Sequence, residues 1–90
     1  MQQDLKLSDN TMILYQNMKN YFIGKNIADK RNERGISVET AAKYLGISIQ
    51  DLLLYETGEK EIDYAVLVNL SEFFNVSIDS FFSYIKNFSK

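Results

Sequence analysis

The side chains best suited to recognise a ligand are concentrated in residues 46–58, GISIQDLLLYETG. Within this stretch Gln50 both donates and accepts hydrogen bonds, whereas Ile49, Leu53 and Leu54 offer only apolar contacts. The pattern is that of a turn followed by a short helix of the kind that lies in a DNA groove. Two interpretations remain open: the helix reads DNA with a partly apolar face, or it binds a protein partner.

Catalytic and metal-ligating side chains are scarce in this chain. It has no Cys and no His, and so lacks thiols, disulfides and the commonest general base and metal ligand. Its 12 acidic residues form no calcium-loop pattern with a glycine at the turn. We therefore expect neither an enzyme nor a metal or cofactor site.

Length and composition predict one small all-helical domain. The chain has 90 residues, of which 46% are hydrophobic and 24% charged, and no proline. The net charge of −2 argues mildly against nucleic acid, but five basic residues lie close together and leave the matter open: Lys19, Lys25, Lys30, Arg31 and Arg34. No signal peptide or membrane span is visible, so we expect a cytoplasmic protein without membrane contact.

Helix-start and helix-stop residues place these elements along the chain. Residues 11–34 form one helix or two, since Gly24 lies near their middle, and Gly35 ends them. Each later helix follows a capping side chain: Ser37 before VETAAKYL, Ser48 before IQDLLLYE, Asp63 before YAVLVNLSEFF, and Ser77 or Asp79 before FFSYIKNF. Asn75 lies where a left-handed residue is expected at a helix end.

The segments VETAAKYL and IQDLLLYE, joined by the turn GIS, have the lengths of a helix-turn-helix. Ala41 and Ala42 are small where the two helices must cross closely. Four residues are predicted to form the interior between them: Leu45, Ile47, Leu52 and Tyr55. An ordinary helical hairpin would show the same pattern, so the turn alone does not decide.

Four segments favour a helix-turn-helix over an ordinary helical hairpin: IGKNIADKRNERGIS, AAKYLGIS, YETG and LVNLSEFFNVSIDSFF. Together they make residues 23–82 resemble the lambda-repressor-like, Xre-type helix-turn-helix family. The resemblance implies an all-α fold, a compact five-helix bundle with short helical extensions at both ends. It also implies a transcriptional regulator that binds double-stranded DNA as a dimer, with the helix near residues 48–56 in the major groove.

The resemblance also implies which residues contact DNA. The matching positions are Ser37, Val38, Ser48, Ile49, Gln50, Asp51, Leu54, Thr57 and Lys60. Gln50 suits adenine, Ile49 and Leu54 suit a thymine methyl group, and Asp51 could accept from cytosine N4. Thr57 and Lys60 match positions that grip phosphate, although a solvated lysine is an equal alternative for Lys60.

An ion pair between Arg31 and Glu56 is a further implication of the family pattern. The fork of an arginine can hold a carboxylate with two hydrogen bonds and so join the first helix to the end of the third. The alternative is that Arg31 contacts phosphate directly.

Apolar residues recur at helical spacing in both extensions, residues 1–20 and 83–90, which flank a domain spanning 21–82. The front stripe is Met12, Tyr15, Met18 and Phe22, and the back stripe is Phe81, Phe82, Ile85 and Phe88. We expect at least one of them, most of all the back stripe, to form a homodimer interface.

Three functions follow. The first is a sequence-specific DNA-binding regulator. The second is a helix-turn-helix fold used for protein binding through Ile49, Leu53 and Leu54, as in an anti-repressor or adaptor. The third is the antitoxin of a toxin–antitoxin pair. These three apolar side chains could also pack on the chain's own extensions and serve neither role.

Overall fold

The computed structural model describes residues 9–83, apart from the side chains of residues 9–11 and 13. The elements are α1 (Asp9–Glu33), α2 (Val38–Leu45), α3 (Ile49–Thr57), α4 (Tyr64–Phe74) and a 3₁₀ helix (Ile78–Phe82). The all-α class is confirmed. The prediction of five α-helices is wrong by one, because the fifth element is a short 3₁₀ segment.

Helix α1 runs without a break through Gly24. A Cβ atom at this position would lie 2.6 Å from the carbonyl oxygen of Glu56, and closer still to that of Tyr55. Gly24 is therefore the place where the end of α3 packs directly on the α1 backbone, and it does not divide the helix. The proposed boundary at residue 20 falls within this helix and stays a prediction.

Three turns between helices share one pattern: a left-handed residue, an apolar residue and a serine. They are Gly35-Ile36-Ser37, Gly46-Ile47-Ser48 and Asn75-Val76-Ser77. In each turn the amide of the apolar residue donates to a carbonyl five residues earlier, for example from Ile47 to Ala42 at 3.1 Å. This bond satisfies an open carbonyl of the preceding helix, and the serine takes the N-cap position of the next element, with a side-chain cap bond at Ser37 and Ser48 but not at Ser77.

The core lies between the helices, where α1 packs on α3 and the 3₁₀ helix, and α2 packs on α3 and α4. Its buried side chains include Ile23, Ile27, Ala41, Ala42, Leu45, Leu52, Leu67, Leu70, Phe74 and Phe81. The predicted interior of the helix pair is confirmed, with Leu52 and Tyr55 buried and Ile47 partly buried against the core.

The 3₁₀ helix is held to α1 by Asn26, the buried polar side chain that the sequence did not reveal. Its amide nitrogen donates to the Phe81 carbonyl at 3.3 Å and to the Ser83 hydroxyl at 3.1 Å, while its oxygen accepts from Lys30 at 2.7 Å. The hydrogen bond from the Asn26 side chain to the Phe81 carbonyl fixes the 3₁₀ helix to α1. The Phe81 ring is fully buried in the core.

Candidate nucleic-acid interface

The N-termini of α2 and α3 are built alike. Ser37 accepts a hydrogen bond from the Thr40 amide at 3.0 Å, and Ser48 accepts one from the Asp51 amide at 2.9 Å. The first amides of each helix, at Val38 and Ile49, have no carbonyl partner in the preceding turn and point out of the helix end. The side chain of Val38 itself packs partly against the core, so only its backbone can serve a ligand.

The leucine run of α3 divides between interior and surface. Leu52 and Tyr55 are buried, whereas Ile49 and Leu53 keep 43% and 45% of their surface exposed, and Leu54 is half-buried. Ile49 and Leu53 thus keep a large part of their apolar surface open to a ligand. The exposed side chain of Gln50 makes no hydrogen bond within the described part of the chain.

Lys60, one of the two predicted phosphate donors, is paired with Asp51 in the first turn of α3. Its ammonium lies 3.1 Å from the Asp51 carboxylate and 5.4 Å from the centre of the Tyr55 ring. The hydrogen bond to Asp51 raises the pKa of Lys60 above its ordinary value of 10.5, with partial burial opposing the shift. Both partners remain well exposed, so the pair can open to solvent or to a ligand.

Thr57, the other predicted donor, is also engaged with a carboxylate. Its hydroxyl lies 2.8 Å from Glu59 and 3.2 Å from the carbonyl of Leu54. The sequence pattern did not single out Glu59, although it lies only two residues after Thr57. Each predicted phosphate donor is therefore held by an acidic side chain of the same surface.

The ion pair between Arg31 and Glu56 joins α1 to the C-terminal end of α3. Two nitrogens of Arg31 donate to the two carboxylate oxygens of Glu56, at 2.7 and 2.9 Å, and a third bond reaches the Ile36 carbonyl at 2.9 Å. The side chains are 13% and 7% exposed, so the expected shielded pair is present. The bond to Glu56 raises the pKa of Arg31, with attraction by Glu56 and Glu39 adding to it and burial opposing it. These three donors face the protein, which favours the ion pair over a direct contact between Arg31 and phosphate.

The other basic residues of α1, and Arg34 just after it, make contacts elsewhere. Lys19 lies 3.9 Å from Glu61, Lys25 pairs with Asp29, Lys30 bonds Asn26, and Arg34 bonds the Phe74 carbonyl at 2.6 Å. Residues 37–63, which contain α2 and α3, hold six acidic and two basic side chains and so have a formal charge of −4. Even without Glu56, which is buried against Arg31, the candidate surface has more acidic than basic side chains, and the basic stretch of the sequence does not enrich it.

The predicted dimer residues have different positions. Phe81 is fully buried in the chain's own core, so its assignment to an interface is wrong: it has no surface to offer. Phe82 is half-buried at the edge of a depression that Ile23, Ile62 and Leu67 also line. Ile85 and Phe88 lie outside the described residues, and their interface role stays a prediction.

Among the described residues, no cluster of three or more acidic side chains has the geometry of a metal site. None of the helices found between residues 9 and 83 is long and apolar enough to cross a membrane.

Comparison with known proteins identifies the fold. A family model described as helix-turn-helix, HTH_3, matches residues 27–81. The chain is similar to the restriction-modification controller protein C.AhdI from Aeromonas hydrophila, with 19% identity and a TM-score of 0.65 over 69% of this chain and 94% of that one. At this identity the likeness shows the fold alone.

It is also similar to an HTH_3 family transcriptional regulator from Vibrio cholerae, with 26% identity and a TM-score of 0.69. That match covers 76% of this chain but only 38% of the regulator, so the chain spans well under half of that protein. No curated protein sequence matches this chain significantly. Since the family model covers more than half of its length, the chain belongs to HTH_3, a helix-turn-helix family of DNA-binding transcription regulators.

Proposed function

We propose that this protein is a sequence-specific regulator of transcription that binds double-stranded DNA with the N-terminal half of α3 in the major groove. The observation that carries the proposal is the exposed Gln50, which has no hydrogen-bond partner in the described chain and lies in the first turn of α3. A glutamine at such a position can bind the N6 and N7 edge of adenine with two hydrogen bonds.

Neighbouring groups complete the proposed contact. Ile49 is exposed beside Gln50 and suits a thymine methyl group. The free amides at the starts of α2 and α3 suit phosphate oxygens, and the Ser48 hydroxyl, which accepts from the backbone amide of Asp51, retains a proton to donate. Leu54 is half-buried and contributes by excluding water from the contact.

Lys60 and Thr57 reach phosphate only by exchanging partners. Lys60 must leave Asp51, and Thr57 must turn from Glu59. Once Lys60 has left, Asp51 is free to accept from cytosine N4. Because few phosphates are neutralised by an acidic surface, we expect modest affinity with a shallow dependence on salt.

The proposed regulator acts as a homodimer. A single α3 of nine residues reads only a few base pairs, whereas two copies related by a two-fold axis double the contacts. The selected DNA should then contain inverted half-sites whose centres are separated by roughly one helical turn, about 34 Å.

Selection from a random duplex library at several salt concentrations tests the proposal. Gln50→Ala should weaken binding to the selected site by about 1–3 kcal/mol and relax preference at one base pair. Gln16→Ala is the matched control, since Gln16 is an exposed glutamine on α1. An equal loss with both variants, or no enriched sequence with the wild type, contradicts sequence-specific reading.

Protein binding is the second candidate, and the acidic, partly apolar docking surface favours it. Exposed Ile49 and Leu53 on a segment with a formal charge of −4 suit a partner with basic and apolar side chains. Leu53→Ser separates the two functions, because it should abolish capture of such a partner while leaving DNA retardation nearly unchanged. Absence of retardation for every duplex at low salt would favour this second function.

A further inference from the structure

Helix α1 is apolar on two opposite faces. In its C-terminal half, Ile23 and Ile27 are buried in the core. In its N-terminal half, four large apolar side chains are more than half exposed, and we call them the outer stripe: Leu14, Tyr15, Met18 and Tyr21.

Helical geometry places the outer stripe opposite the core. Each residue turns the helix by about 100°, so Ile23, nine residues after Leu14, points about 180° away from it. Met18 and Tyr21 return to within about 40° of Leu14, and Tyr15 borders them. The stripe is therefore one continuous face that stays more than half exposed, although Gly58 lies against the backbone of Tyr21 at its edge.

From this face we infer that the outer stripe is the homodimer interface, packing against the outer stripe of a second copy. The four side chains expose on the order of 450 Å² per chain, so two fully covered stripes would bury about 900 Å². This is close to the lower limit for a specific interface between proteins. A monomer of this size gains nothing from keeping such a face in water.

Charge also favours a second copy over a different protein. The outer stripe contains no charged side chain, and Lys19 is turned away toward Glu61. At its C-terminal edge Lys25 and Asp29 neutralise each other at 3.8 Å. Two copies can therefore face each other without like-charge repulsion, whereas a hetero-partner would find no charge pattern to recognise.

A two-fold axis makes the proposed contact antiparallel and isologous. Met18 lies near the middle of the stripe and so falls closest to the axis. With helix axes about 8–10 Å apart, the two Met18 side chains come into contact. This inference rests on the proposed homodimer but not on DNA binding.

The absence of cysteine from the chain allows a direct test by cross-linking. Met18→Cys should give a covalent dimer with a short bis-maleimide reagent at low micromolar concentration, without DNA. Tyr44→Cys is the control, because Tyr44 is 58% exposed and lies on α2, which packs on α3 and α4. A dimer with Met18→Cys only supports the interface, and equal cross-linking of both variants overturns it.

A charged double variant tests the same surface without cross-linking. Leu14→Glu with Met18→Glu should raise the dissociation constant of the dimer at least roughly tenfold in sedimentation experiments. Helix content should be retained, since neither side chain belongs to the core. A wild type that is monomeric at high micromolar concentration overturns both the homodimer and the interface. A variant that remains dimeric, with no Met18 cross-link, overturns the interface alone and leaves the homodimer and DNA binding standing.

Discussion

Helix α3 contributes an acidic residue to each of two ion pairs that differ in almost every physical respect. Glu56, in its last turn, is held by two hydrogen bonds from Arg31, and both side chains are largely buried. Asp51, in its first turn, meets Lys60 in a single contact with about two-fifths of each side chain exposed. A buried charge that loses its partner is costly, whereas an exposed one is solvated by water. The first pair therefore holds the fold, and the second can be exchanged for a ligand.

The largest expected effect is at the buried pair. Glu56→Ala leaves the Arg31 guanidinium without its carboxylate and should lower the free energy of unfolding by roughly 3–5 kcal/mol, as measured by urea denaturation. Asp51→Asn is the control at the exposed pair and should hardly move the midpoint. Equal shifts for the two variants would remove the distinction between the pairs.

A second large effect is expected at Gly24, next to the buried pair. Alanine is favoured over glycine in a helix by about 1 kcal/mol, but a Cβ atom here would meet the carbonyls of Tyr55 and Glu56. The clash should dominate and give a net destabilisation of about 1–3 kcal/mol in the same urea experiment. Asn32→Ala, at an exposed position of the same helix, should be neutral or stabilising. A stable Gly24→Ala protein would show that α1 and α3 are not in backbone contact.

A smaller effect, on binding and not on folding, is expected at Lys60. Lys60→Ala should weaken all duplexes alike and reduce the slope of log K against log salt by about one unit. Lys25→Ala is a close match, because Lys25 is also a half-exposed lysine paired with an aspartate. Its slope should equal that of the wild type, and a parallel loss in both variants would mean that Lys60 has no specific phosphate contact.

The smallest effect is expected for Asp51→Asn, measured as duplex affinity. Removing this carboxylate frees Lys60 for phosphate and should raise affinity for random duplex by about two- to fivefold. The raised pKa of Lys60 means that its ammonium stabilises the pair fully below the ordinary value of 10.5 and is lost only as pH rises through the higher folded value. The gain should therefore be constant between about pH 6 and about pH 9. A gain that appears only near neutral pH would require another titrating group.

Local sequence patterns predicted the helix ends because their chemistry acts within a few residues. Ser37 and Ser48 were predicted as N-caps and Asn75 as a left-handed helix end, and all three are confirmed. The structural role of Gly24 was ambiguous in the sequence, because the need for a glycine there comes from a contact with residues more than 30 positions away.

The positions of polar side chains at the candidate surface were harder to predict. Thr57 and Lys60 were expected to be available for phosphate, but Thr57 is bonded to Glu59 and Lys60 to Asp51. The second bond joins a residue after α3 to one in the first turn of that helix, nine positions earlier. Phe81 was assigned to a surface because an apolar period of three or four cannot tell which face of a segment meets the core. The ring is buried because of the 3₁₀ geometry and the hydrogen bond from Asn26, and neither can be predicted from the spacing of the apolar residues.

Helix α1 is continuous, so the directions in which side chains point at its two ends are fixed relative to each other. Because the helix does not break at Gly24, Met18 and the core residue Ile27 belong to one continuous helix, in which each residue adds about 1.5 Å and about 100°. Inserting one residue between them would swing the outer stripe by about 100° relative to α3, whereas seven would nearly restore its direction and lengthen the helix by about 10 Å. In the proposed dimer, the distance between operator half-sites is then set by the number of residues in α1.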